Sequence, residues 1–232
     1  MNDLQNYLDH HYQTLEQFAN ASAISPDEIN NLISQKLIPE PSYTVLNTNK
    51  CISQAFGELT SSCLVAGKYF HPGNRTWVMI AIESKKRMGA VQAHHELKQQ
   101  FRQNFAAELK RLNSKVFSLK DSFTANGQVI EDGLNVRTNA AWDYFLKGVF
   151  SLCVADPSTE KSIATKEVLQ EALIALTDNG VKTDYNNEAK HHILNLIHQY
   201  EQAAMPFSPA EYANSSRKRL VEDLQAKLQD KK

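Results

Sequence analysis

Residues 14–39 read TLEQFANASAISPDEINNLISQKLIP and hold the clearest local grammar of the chain. Thr14 is an N-cap residue type with Gln17 three positions on, the pattern of a reciprocal capping box. Leu15, Phe18 and Ala19 form the apolar face of the short helix that follows. Ala21-Ser22-Ala23 makes a small-residue turn with Ile24 beneath it. Ser25 caps another helix, Pro26 takes its first helical position, and Glu28 completes a second capping box. Ile29, Leu32 and Ile33 are its apolar stripe. It must stop before Pro39, because the residue ahead of a proline avoids the α region. Upstream, Leu4, Tyr7, Leu8 and Tyr12 line one face of a predicted helix over Asp3–His11. Downstream, Pro39-Glu40-Pro41 leads into an extended Ser42–Val45.

Further along, helical spacing dominates. Apolar residues recur every three or four positions at Leu97, Phe101, Phe105, Leu109 and Leu112. Ala164, Val168, Leu169, Ala172, Leu173 and Leu176 repeat the pattern, as do Ile193, Ile197, Tyr200 and Ala204. Leu220, Leu224 and Leu228 form a last stripe, which can pair with a second copy or fold back on its own body. Each stripe must be buried against another helix. Strand signals are short. Tyr43–Leu46 and Thr76–Ile82 are β-compatible, the second equally so with a buried helical turn. Val116–Leu119 and Val129–Ile130 flank Asn126-Gly127, a good turn dipeptide for a small hairpin. Lys231-Lys232 is expected to fray.

The run Thr14-Leu-Glu-Gln-Phe-Ala, Ile24-Ser-Pro-Asp-Glu-Ile, Leu32-Ile-Ser-Gln-Lys-Leu-Ile-Pro39 resembles the helix-turn-helix that opens MerR-type regulators, with Lys36 where that family has Gly. The resemblance implies a winged helix-turn-helix whose second helix enters the major groove by its N-terminal residues. A second resemblance spans nearly the whole chain. Pro39-Glu-Pro-Ser-Tyr43, Trp142–Pro157, Ile163-Ala-Thr-Lys-Glu167, Leu176-Thr177, Phe207–Tyr212 and Ser215–Leu220 look like an uncharacterised bacterial family labelled natural product biosynthesis protein. That likeness implies a place in bacterial secondary metabolism and brings no reaction or catalytic residue with it. The expected fold for the 232 residues is therefore mostly α with little β. A winged helix-turn-helix-like module would occupy residues 1–47 and an α-helical body residues 48–232.

Charge argues against the usual work of such a module. The chain is net −1, but residues 1–45 are net −5 and residues 68–137 net +6. Asn30, Asn31, Ser34, Gln35 and Lys36 are the candidate base-reading residues, since Asn and Gln can pair with adenine. Asp27 and Glu28 lead the same helix, and affinity for DNA comes largely from phosphate neutralisation. The acids suit the helix dipole better than a phosphate backbone. A continuous strip of Lys85, Arg87, Lys98 and Arg102 beside this helix would reverse that argument.

Other candidates are sparse. His94-His95-Glu96 and His191-His192 suggest metal ligands, but adjacent residues on a helix point about 100° apart, so no metal site is expected. No nucleophile elbow, P-loop or dinucleotide fingerprint is present, so no cofactor is expected either. Glu131-Asp132 beside Gly133 reads as turn chemistry. Ser215, Ser216, Arg217 and Arg219 combine a helix start with cations, a candidate anion site, unless an arginine pairs internally, for instance with Glu211. Trp142, among several aromatic residues, could line a ligand pocket. Cys51, Cys63 and Cys153 are too scattered for a disulfide framework. With no apolar leader and no apolar run near about 20 residues, the expectation is a cytoplasmic protein with no membrane partner. The leading functional expectation is a non-enzymatic regulatory or interaction protein, with a protein partner or a second copy. A DNA-binding regulator, and an enzyme or ligand carrier with a pocket near Trp142 and Arg217, are the alternatives.

Overall fold

Local capping sets the second and third helices. The computed structural model describes residues 3–182 and 184–229, and Lys231 and Lys232 lie outside them. Helices α1 (Asp3–His11), α2 (Leu15–Ala21) and α3 (Pro26–Ser34) follow in order. Gln17 N donates to Thr14 Oγ1 at 3.3 Å while Thr14 N donates to Gln17 Oε1 at 2.9 Å. Glu28 N donates to Ser25 Oγ at 3.1 Å. The Glu28 carboxylate does not complete that second box: it accepts from Lys85 Nζ and Asn31 Nδ2 instead. Lys36 takes a φ of 57°, the left-handed region that favours glycine. Phe18, Ile29 and Leu32 are fully buried.

Mostly α holds, at 61% helix, but little β and a winged helix-turn-helix module do not. A five-stranded antiparallel sheet takes their place. It comprises β1 (Gln13–Thr14), β2 (Tyr43–Asn47), β3 (Lys50–Ser53), β4 (Gly57–Thr60) and β5 (Gly67–Phe70), in the order β1-β5-β2-β3-β4. Its strand β2 coincides with the expected strand signal at Tyr43–Leu46, and the reason the rest escapes a sequence reading is physical. Each strand has at most five residues, too few to show a period of two. Strand β5 also gains its hydrogen-bond partners from far away, pairing Tyr69 with Tyr43 and Phe70 with Gln13. The segment around Thr76–Ile82 is helical, within α4 (Arg75–Met88). The hairpin expected near 115–131 is a loop, with one isolated antiparallel bridge, Phe123 to Val129.

The remaining helices are α5 (Ala90–Leu112), α6 (Glu131–Leu146), α7 (Phe150–Cys153), α8 (Glu160–Thr177), α9 (Asn187–Ala203), α10 (Pro209–Tyr212) and α11 (Asp223–Gln229), the last continuing a π-wound stretch at Lys218–Glu222. Helix α5 packs on α4, α6 and α8, and α8 on α9. Glu131 and Asp132 are not turn residues: they open α6, where negative charge suits the helix N-terminus. One apolar cluster joins Phe18, Ile29, Leu32 and Leu37 to Trp77, Phe101, Trp142 and Phe145. A second joins Leu4, Leu8, Tyr12 and Tyr43 to Leu152, Met205 and Phe207. The terminal leucines fold back: Leu220, Leu224 and Leu228 are buried with Ile193, Leu196 and Tyr200 in a third. Among the described residues, no helix is long and apolar enough to cross a membrane.

A buried carboxylate fastens the sheet to the C-terminal region. Glu211 on α10 is 1% exposed. It accepts hydrogen bonds from Tyr43 Oη on β2 at 2.6 Å, Ser53 Oγ on β3 at 2.5 Å and Ser208 Oγ at 2.5 Å. Tyr12 and Tyr43 stand edge to face beside it, with ring centroids 5.0 Å apart. Burial, reinforced by these neighbours, raises both phenols well above their ordinary pKa.

Candidate functional site

Asn30, Asn31 and Ser34, three of the five residues proposed to read bases, are engaged within the chain. Lys68 Nζ donates to Asn30 Oδ1 at 2.7 Å, Asn31 Nδ2 to Glu28 Oε2 at 3.3 Å, and Ser34 Oγ to the Asn31 carbonyl at 2.8 Å. Gln35 and Lys36 border a surface hollow of about 260 Å³ with His94 and His95, and His94 Nδ1–H donates to the Lys36 carbonyl. Of the four residues of the basic strip, Lys85, Arg87 and Arg102 are engaged within the chain. Lys85 lies beside α3 but pairs with Glu28 at 2.9 Å, and Arg87 pairs with Glu96 at 2.6 Å. Arg102 bonds Thr138 and Asn135.

The anion candidates are likewise occupied. Ser215 Oγ accepts from Lys218 N and donates to the Tyr212 carbonyl, so it caps the C-terminal helix. Ser216 Oγ meets Tyr200 Oη at 2.7 Å. Arg217 donates to the carbonyls of Glu201 and Ala204 and to the Glu201 carboxylate, not to Glu211. Arg219 Nε donates to Asn179 Oδ1. These cations hold the end of α9 and the 178–180 turn. Among the described residues, no group of three or more His, Cys, Asp or Glu side chains is placed to hold a metal ion.

Trp142 does line a cleft, of about 180 Å³, between α4, α5, α6 and the start of α8. Its floor is aromatic: Trp77, Phe101, Trp142 and Phe145 pack with ring centroids 4.8 to 6.2 Å apart. These rings reach one place because Phe101 belongs to the stripe that α5 must bury, and Trp77, Trp142 and Phe145 lie on the inward faces of α4 and α6. Leu37, Ile80 and Leu97 extend the apolar wall. The rim is polar, with Thr76, Gln100, Asn104, Ser158, Thr159 and Glu160. Trp77 Nε1–H donates to the Pro157 carbonyl at 2.8 Å, which ties the rim-bearing segment before α8 to α4. Thr159 Oγ1 accepts from Ser162 N and caps α8, setting Glu160 on its first turn. Arg217 does not line this cleft.

Among the described residues, Glu160 is the only titratable group on the lining. Burial raises its carboxyl above the ordinary glutamate range, opposed by its own backbone N–H and by Asn104 Nδ2, which donates to Oε1 at 3.1 Å. A carboxylate accepts about four hydrogen bonds, so this one retains capacity for another donor. Sequence reasoning pointed to Trp142 and missed Phe101, Asn104 and Glu160 as its neighbours. They come from two other elements, α5 and α8, and only the α5 stripe carried a signal, as core.

Residues 97–229 match a protein family described as a family of unknown function (DUF6058). That span begins within α5 and includes Phe101, Asn104, Trp142, Phe145 and Glu160. Neither a curated protein nor a solved structure matches the chain.

Proposed function

We propose that this chain, which belongs to the DUF6058 family of unknown function, is a small-molecule binding protein whose site is the aromatic cleft beside Trp142. The observation that carries the reading is the combination of an aromatic floor with a polar rim in one concave place. Apolar walls with a few placed polar groups are the general pattern of ligand sites. At about 180 Å³ the cleft is smaller than the about 300–1,000 Å³ typical of drug-sized sites, so its ligand is a single-ring or short-chain molecule. The likeness to natural product biosynthesis proteins supports a regulatory or carrier role in secondary metabolism, with a precursor or product as the bound signal. DNA reading is the weaker alternative, because Asn30, Asn31, Lys68 and Lys85 already have partners in the chain.

The chain's two tryptophans both line the cleft, so intrinsic fluorescence reports on it directly. Single-ring and branched-alkyl fragments are expected to shift the emission and raise the melting midpoint. Thr76→Tyr, at an exposed rim position, should abolish the response with a stability change within about 0.5 kcal/mol. If no fragment moves either signal in the unmodified protein, the cleft is packing alone and the reading is wrong.

A further inference from the structure

The cleft's chemistry also selects among ligands. Of the groups on its lining, one is ionisable, and it is a carboxylic acid; Lys, Arg and His are absent from the lining among the described residues. The Glu160 carboxylate stands at the rim with Asn104 Nδ2 on one oxygen. The floor is a packed set of indole and phenyl rings, whose π-faces attract cations and whose apolar surface accepts a ring or alkyl body. A neutral ligand would leave the partly desolvated carboxylate without a charged partner, and an anion would be repelled by it. Only a ligand with a cationic donor at one end and a compact apolar body at the other complements both surfaces.

We infer that the ligand is a small organic amine bound as its ammonium ion, with the ammonium donating to Glu160 and the apolar body lying on the Trp142–Phe101–Phe145 rings. The inference rests on the cleft being the ligand site, and the test separates the two. Benzylamine and 2-phenylethylamine are compared with benzyl alcohol and 2-phenylethanol, and with benzoate and phenylacetate. Binding to the full chain at pH 7 is read by tryptophan fluorescence and calorimetry. The expected order is amine, then alcohol, then carboxylate, with the amine about tenfold tighter than its alcohol. Glu160→Gln keeps an amide oxygen for Asn104, and it should bring the amine down to the alcohol's affinity while leaving the alcohol unchanged.

If alcohol and amine bind equally in the unmodified protein, or the carboxylate binds best, the cation inference falls and the cleft reading stands. If the amine preference survives in Glu160→Gln, Glu160 is not its source and the inference falls. If no probe of any charge binds, the cleft reading falls and takes the inference with it.

Discussion

At the scale of single residues, His71 shows how burial writes a pH dependence into the fold. It is 7% exposed, between the sheet and α4. Burial lowers its pKa to about 4, although the charge of Asp156 and a hydrogen bond to the Ala155 backbone pull the other way. The neutral ring accepts from Gly73 N through Nδ1 at 3.0 Å. In the unfolded chain the imidazole titrates near 6.5. Between those values the unfolded state binds the proton and the folded state does not, so stability falls as pH falls from about 6.5 to about 4, by about 3 kcal/mol in total. Chemical denaturation at pH 7 and pH 4.5 should therefore give a smaller loss for His71→Asn, whose amide oxygen can still accept from Gly73. Equal losses in the two proteins would remove His71 from the account. Lys36 makes a related point: the residue is legible, but its left-handed backbone is a property of the turn it closes.

At the scale of elements, the caps and apolar stripes were readable because they depend on neighbours three or four residues away. Thr14 and Ser25 cap where their spacing places them, and the stripes of α5, α8 and α9 are the buried faces of those helices. The start of α6 was not readable. Gly133 looks like a turn residue beside Glu131-Asp132, yet it sits in the first turn of α6 because the backbone of the preceding loop crosses there. A Cβ at Gly133 would lie 1.7 Å from the Asp121 carbonyl oxygen. Gly133→Ala must displace that loop and should lower stability by about 3 kcal/mol, at the upper end of overpacking effects. Val136→Ala on the exposed face of the same helix should change it by less than about 0.5 kcal/mol. The two measured in parallel by urea melts settle the point, and a Gly133→Ala protein as stable as the control would contradict the close approach.

At the scale of the whole molecule, the decisive contact is Glu211. It joins β2 and β3 to α10 across more than 150 residues of chain. Its removal leaves three hydroxyl donors in a space closed to water. Glu211→Ala is expected to lose about 3–5 kcal/mol, the range for removing one member of a buried charged network. Glu211→Gln should lose less, since one amide oxygen remains to accept. A midpoint for Glu211→Ala within about 1 kcal/mol of the unmodified protein would show that the tie is dispensable. The aromatic cleft belongs to this scale too, because α4, α5, α6 and the start of α8 each supply part of it.

From composition, caps and periodicity alone, a mostly helical protein with a charge-asymmetric chain could be stated, along with its main buried stripes. Those properties are local, and hydrophobic burial enforces them whatever the topology. The pairing of the five strands into a sheet, the Glu211 junction and the meeting of Glu160 with the aromatic floor were beyond that reach. Each depends on pairings between distant segments, where a residue's role is set by its partner and not by its own sequence neighbours.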